Sequence, residues 1–462
     1  MATNGGHMRV QLNLRGVARY LVATSVASML GLWSQLSAAE VLPQYAKDTH
    51  LGVVTCAGST CHGALEPWQQ SNVLQNEYIT WQRQDQHAKA YATLLKEESK
   101  RIARNLKLER PAHESKICLD CHSDNPPPNL RGARFQLSDG VGCEACHGGS
   151  VRYLGLHATG VATHAENVQN GLYPTEEPVA RAQLCLSCHF GSFGEDSKFV
   201  THRIMGAGHP RMSFELDTFT AIQPAHYRID ADYRKRKPVF SGVQVWAIGQ
   251  AMAVSQTMTA VISSKFGRDG IFPELVLFDC HACHHPMSDV RWQPRASTGL
   301  PPGVPRLGDA NLLMLIIAAK QVAPDVSSAL GGQLRGLHAA AIQGPDAMAS
   351  AARGVKESAD RLLAAFAKHS FGRADLVALL NGVLGMGLGG EFLDYAAAEQ
   401  ATMAMASIVN AMRDTGVTDE AQRKALDAAM NRAYEAVGKD EQYKPAAFVE
   451  ALKQIQAAAP KS

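Results

Sequence analysis

The sequence predicts a mainly α protein with little regular β-structure, in two parts: a region of short helices and loops, then an all-α helical bundle. Three observations predict this. All ten cysteines, and all but two of the eighteen histidines, lie before residue 290. Aromatic residues make up only 6% of the 462 residues, sparse for a core of this size. From about residue 309 there is no Cys, and Ala, Leu, Met and Gln recur with helical spacing. The length suits two or three domains. With 46% hydrophobic and 19% charged residues, disorder, a collagen-like fibre and a polytopic membrane protein are excluded. Lys plus Arg (45) nearly balance Asp plus Glu (43), so nothing argues for nucleic acid.

Residues 1–39 carry Arg9, Arg15 and Arg19 and no acid, then an apolar stretch from Tyr20 to Leu36, then Ser37-Ala38-Ala39. This order reads as a secretory signal peptide cleaved before Glu40, the alternative being an uncleaved anchor helix. The mature chain is then periplasmic or otherwise exported. After it the longest apolar run is Leu312–Ala319, far short of the ~18 residues of a membrane span.

In an oxidising compartment disulfides are the default use of cysteine, yet the spacing argues for another chemistry. Cys118-Leu-Asp-Cys121-His122, Cys143-Glu-Ala-Cys146-His147, Cys185-Leu-Ser-Cys188-His189 and Cys280-His-Ala-Cys283-His284 share one pattern. Cys56-Ala-Gly-Ser-Thr-Cys61-His62 is a longer variant. A Cys pair followed at once by His is the c-type haem attachment motif. Two thiols can form thioethers to the haem vinyl groups, and the next His becomes the proximal iron ligand. Five motifs consume every Cys, which predicts five covalent haem c groups and residues 40–300 as a pentahaem cytochrome c domain. Five macrocycles also explain the sparse aromatics. Each ferric haem adds about one negative charge, so the mature protein becomes acidic and steers toward basic partner patches.

Ten histidines remain as candidate sixth ligands: His50, His87, His113, His157, His164, His202, His209, His226, His281 and His285. Met205, Met212 and Met287 rank below them because His is so abundant. In Thr201–Arg211, Gly206 and Gly208 permit close approach to a flat cofactor, and Arg203 and Arg211 are placed to pair with propionates. His209 and His226 are assigned to the last two haems, with His202 as a further candidate. The basic run Arg234-Lys-Arg-Lys237 is a solvated face, a propionate clamp or a docking patch.

Trp81-Gln-Arg-Gln-Asp-Gln-His87-Ala-Lys-Ala-Tyr91, together with Val141-Gly-Cys143-Glu-Ala-Cys146-His147-Gly-Gly and the His157 ten residues beyond, resembles the cytochrome c-554 family. The resemblance covers about residues 50–190. It implies that His157 ligates the haem at His62, that His87 ligates the haem at His147, and that the haem at His122 lacks a protein sixth ligand. Tetrahaem members of that family shuttle electrons, notably from hydroxylamine oxidoreductase. This sequence departs in its longer first motif, its fifth haem motif and the ~170 residues that follow.

Pro286–Gly308 reads as a Pro/Gly-rich linker into a domain at 301–462. There Asp309 is expected to cap a helix through Val322. Leu393, Ala397, Ala401, Met405, Ile408 and Met412 line one helix face, Gly416 stops that helix, and Thr418-Asp-Glu starts another. Five or six helices are expected, with the Met-rich stripe in the bundle core. His338 and His369 are ordinary. Docking, dimerisation and covering of a haem edge are all open roles for this domain.

The expected function is electron transfer between redox partner proteins through mostly bis-His haems. The alternative is a multihaem oxidoreductase acting on a small nitrogen or sulfur compound at an open haem on His122.

Overall fold

The computed structural model describes Met1 and residues 41–71, 73–193, 198–265, 274–284, 295–301 and 303–460. The expected signal peptide, His285, Met287 and most of the Pro286–Gly308 stretch lie outside them. Leu42–Ser462 form one compact unit. Of the described residues 62% are helical. Among the described residues one two-stranded antiparallel sheet occurs, pairing Gly191 with Phe199 and Ser192 with Lys198.

From Leu42 to about Gly206 the elements are short, including Glu77–Gln84, Glu97–Leu106, Lys116–His122, Cys143–His147, Pro178–His189 and His202–Gly206. Three of the five Cys/Cys/His motifs form the last turn of a helix that ends on its own His. A helical turn brings residues three and four apart onto one face, so both Cys and the His share a side. The Cys280–Ala282 motif is a 3-10 turn closed by His284 N–H donating to Cys280 O (2.8 Å). The longer Cys56 motif reaches the same closure differently. Its two extra residues bulge outward, and His62 N–H donates to Cys56 O (3.1 Å).

Beyond residue 309 seven helices, rather than five or six, pack together: Ala310–Val322, Pro324–Ala341, Pro345–Phe366, Arg373–Leu388, Tyr395–Asp414, Glu420–Ala436 and Pro445–Ala458. Met405, Ile408 and Met412 are fully buried, as expected of a core stripe. Gly416 adopts φ +67°, and Asp419 caps the next helix in a capping box with Gln422. Asp309 precedes the Ala310 helix, but its carboxylate does not cap it; it pairs with Arg295 and His338 instead.

Two sequence expectations change here. First, Gly242–Ile262 is a 21-residue helix long and apolar enough to cross a membrane, although 72% of its apolar window is buried inside the protein. Gln244, Gln250 and Ser255 break its apolar run in the sequence, yet each is buried and hydrogen-bonded, to Phe366 O, Gln400 and Asp360 respectively. The helix lies in the same cluster of buried side chains as the C-terminal helices, so packing does not break at 300/301. Second, the described part of the expected linker is not a loose connection. Arg295, Leu300, Arg306 and Leu307 are buried, and Phe278 bridges to Leu307. Arg306 pairs with Asp279 (2.8 Å) and Asp394 (2.9 Å), satisfying the buried charge.

Candidate functional site

All ten cysteines are free thiols, so no disulfide uses them. Thiols of different motifs meet instead. Cys56 lies close enough to Cys143, and Cys121 to Cys188, to shift each other's ionisation. The first motif therefore abuts the third, and the second abuts the fourth. Lys198, buried on the second strand, donates to Asp120 O (2.7 Å) in the second motif and to Cys188 Sγ (3.0 Å) in the fourth.

Each motif histidine faces a second histidine. Ring centroids lie 5.9 Å apart for His62–His157, 6.1 Å for His87–His189, 6.4 Å for His122–His209, 6.3 Å for His147–His226 and 6.1 Å for His202–His284. Two imidazoles on one metal, with bonds of about 2 Å and ring centres about 1 Å behind the nitrogens, stand about 6 Å apart. All five separations match that span.

The hydrogen bonds of the rings sort the histidines. In the pairs, Nδ1–H donates to Glu77 Oε2 from His62 (2.9 Å), to Asp85 Oδ1 from His87 (2.9 Å), to Ala90 O from His122 (3.2 Å) and to Pro210 O from His209 (2.8 Å). That leaves Nε2 for a metal and orients the ring, the usual arrangement behind a metal-bound His. Outside the pairs, His164, His281, His338 and His369 give Nε2 to Glu176, Asp440, Asp309 and Asp375. Those rings are occupied by carboxylates. His50 is buried with Nδ1 on Asp124 (2.8 Å). His113 lies against Tyr91.

Electrostatics divide the paired rings among themselves. Desolvation pushes His147 down to about 3 and lowers His122, His157 and His189. These rings are neutral, the form that binds a metal. His62 and His87 are raised instead, chiefly by their hydrogen bonds to Glu77 and Asp85.

Around the second and fourth motifs lies a cavity of about 1760 Å³, bordered by Cys118, Cys121, His122, Cys185, Cys188, His189, His87 and His209. Small-ligand clefts are typically ~300–1,000 Å³, so this space suits larger apolar groups. Phe214 stacks on His189 at 4.7 Å, an aromatic wall that no sequence pattern announces. The residues therefore fit haem: thiols in pairs, opposed imidazoles and a cavity bordered by both.

Several sequence assignments are revised. His157 lies opposite His62, as the resemblance implies. His87, by contrast, lies opposite His189 and not His147, whose partner is His226. His209 faces the second motif and His226 the third, so neither serves the last two; there His189 faces His87 and His284 faces His202. Arg211 is no propionate clamp, because Glu399 (2.9 Å) and Asp440 (3.3 Å) hold its guanidinium, which also lies over the Tyr395 ring. Arg203 donates to Leu106 O (3.2 Å). Gly208 serves its φ of +123°, while a Cβ on Gly206 would meet open space. Of the residues the sequence reading missed, Asp85 was within reach, being two residues before His87. Glu77 and Phe214 were not, being brought to their rings only by the fold.

Paired thiols beside motif histidines, each opposed by a second imidazole, define a c-type cytochrome, which binds iron-containing haem c covalently through its cysteines and transfers electrons. Residues 55–148 match the family described as cytochrome c554 and c-prime. No curated protein and no solved structure matches the chain.

Proposed function

We propose that this chain is an exported pentahaem electron conduit in which every iron has two histidine ligands. The observation that carries the reading is the set of five His–His pairs at 5.9–6.4 Å, one at each Cys/Cys/His motif. Haem c supplies a one-electron iron couple; the polypeptide does the rest. Each Cys pair anchors a macrocycle through thioethers, and the His pair closes both faces. Glu77 and Asp85 hold their imidazoles in one orientation. An iron held by both imidazoles of a pair would have no vacant site for substrate, and the haem would supply electron transfer alone.

The motif contacts support an order for the conduit. Motifs one and three touch through Cys56 and Cys143, and motifs two and four through Cys121 and Cys188. Cys146 of the third and Cys185 of the fourth border the same cavity. The segment His202–His209 supplies an imidazole to the fifth motif and another to the second. Electrons then pass through motifs one, three, four, two and five. The alternative, reduction or oxidation of a small nitrogen or sulfur compound at His122, would require His209 to leave its place. Export rests on Arg9, Arg15 and Arg19, the apolar stretch and Ser37–Ala39.

Protein matured in a host able to attach haem c should gain five haem masses on intact-mass spectrometry. Its ferric EPR spectrum should show only low-spin signals. Fewer macrocycles, or a high-spin signal altered by nitrite, hydroxylamine or sulfite, would replace this reading with the catalytic one.

A further inference from the structure

The stretch from Ile222 to Val239 stands out from a chain whose charges nearly cancel. It holds Arg228, Arg234, Lys235, Arg236 and Lys237 against only Asp230 and Asp232. Arg228, Arg234 and Lys235 are exposed. So are Ile222 (68%), Tyr227 (41%), Ile229 (46%) and Val239 (39%), apolar groups that neither this stretch nor its neighbours cover. The stretch has a defined shape. Asp230 caps the helix Ala231–Arg236, Tyr227 stacks on Tyr233 at 5.9 Å, and the Lys237 ammonium lies 5.6 Å over the Tyr233 ring. Gln223 ties its start to Asp85 (3.0 Å).

The same stretch carries His226, whose ring faces His147 at 6.3 Å. The residues immediately after that imidazole, Tyr227 and Arg228, are on the surface. Apolar contacts ringed by cations over a redox site have two physical consequences. The cations raise the encounter rate with an oppositely charged protein, and the apolar groups exclude water once it docks. Basic residues in the last turn also suit the helix dipole, but that accounts for Arg234–Lys237 and not for Arg228 or the exposed apolar groups.

We propose that residues 222–239 are the docking surface for an acidic electron-transfer protein, which exchanges electrons through the His147–His226 pair. The proposal rests on the reading of these histidines as axial ligands of a haem iron. In the inward direction one electron leaves the reduced partner, which is oxidised, and one ferric iron becomes ferrous; no bond or proton is exchanged.

The test uses the haem-loaded full chain and a reduced acidic [2Fe–2S] ferredoxin, with a potential of about −400 mV, as the probe. Stopped-flow reduction should slow steeply as salt rises from about 0.01 M to 1 M, where the screening length falls from ~30 to ~3 Å. The triple variant Arg228→Glu, Arg234→Glu, Lys235→Glu should react at least about tenfold more slowly at low salt and match the parent at high salt. Its reduction by photoreduced lumiflavin, small and neutral, should equal the parent's. A variant as fast as the parent with ferredoxin overturns the proposal. So does a changed low-spin spectrum in the variant, which would make these cations propionate clamps, and so does loss of binding to anionic lipid vesicles without loss of the ferredoxin rate. A parent lacking bis-histidine signals defeats the underlying reading instead, whereas a parent with five such signals and a salt-independent ferredoxin reaction defeats the docking alone.

Discussion

The haem-binding region and the C-terminal bundle fill their interiors in opposite ways. In the bundle, Leu315, Leu330, Phe366, Leu379, Met405 and Phe448 are among many side chains with no exposure, in one cluster that reaches back to Ala182. In the first half of the chain, the other clusters of buried apolar side chains among the described residues hold four members each: Leu42, Tyr173, Ala180 and Leu184, then Leu94, Ala103, Ala112 and Leu119. The difference teaches that one half is held by side-chain packing and the other is built to enclose cofactors. Short helices suffice there because each needs only to present two thiols and an imidazole.

The most severe way to break this comparison is to withhold haem. A chain made without attachment should lose amide-exchange protection over 42–190 and keep it over 310–458; equal protection of both would show that the first half has a protein core of its own. Next comes the ion network between the halves. Arg295 is buried, paired with Asp309, and donates to Glu391 O (2.8 Å). Arg295→Met leaves the buried Asp309 with His338 alone and should cost about 3 kcal/mol in chemical denaturation. Burial pushes the Asp309 carboxyl up, but Arg295 and then His338 outweigh it and hold it below its usual value. A depressed carboxylate adds stability that is present above its unfolded pKa of about 4 and lost as pH falls through the lower folded value. The acid-unfolding midpoint of the variant should therefore lie higher than the parent's.

Core truncation sharpens the contrast further. Leu380→Ala in the bundle should cost about 2–5 kcal/mol. Leu94, at the edge of a four-residue cluster and bordering the large cavity, should cost nearer 1 kcal/mol. Matching losses on denaturant titration would contradict the division. The smallest effect is local. Asp85→Ala frees the His87 ring and should weaken its hold on iron by ~10–100-fold, seen as carbon monoxide binding at one ferrous haem. An unchanged spectrum would mean that Asp85 does not orient the ligand.

Much of the attachment chemistry was legible because it is local. Cys118, Cys121 and His122 meet within one turn whatever the rest of the chain does, and the same holds for the third and fourth motifs. Helix ends at Val322 and near Gly416 were readable for the same reason, since breakers act on their own backbone. Gly242–Ile262 was not readable, because its polar residues are compensated by Phe366, Gln400 and Asp360 from distant sequence.

What the sequence by itself determined is thus the set of thiols and motif histidines, the mainly α class and the helical repeat beyond residue 309. Only the tertiary structure decided that His209 stands over the second motif, His226 over the third and His202 over the fifth, and that the bundle reaches back to hold Arg211 and His281 through Asp440. The physical reason is directional. A motif histidine is aimed by its own helical turn, but an opposing imidazole must arrive from elsewhere in the chain, at about 6 Å and with Nε2 forward. No local pattern encodes that approach.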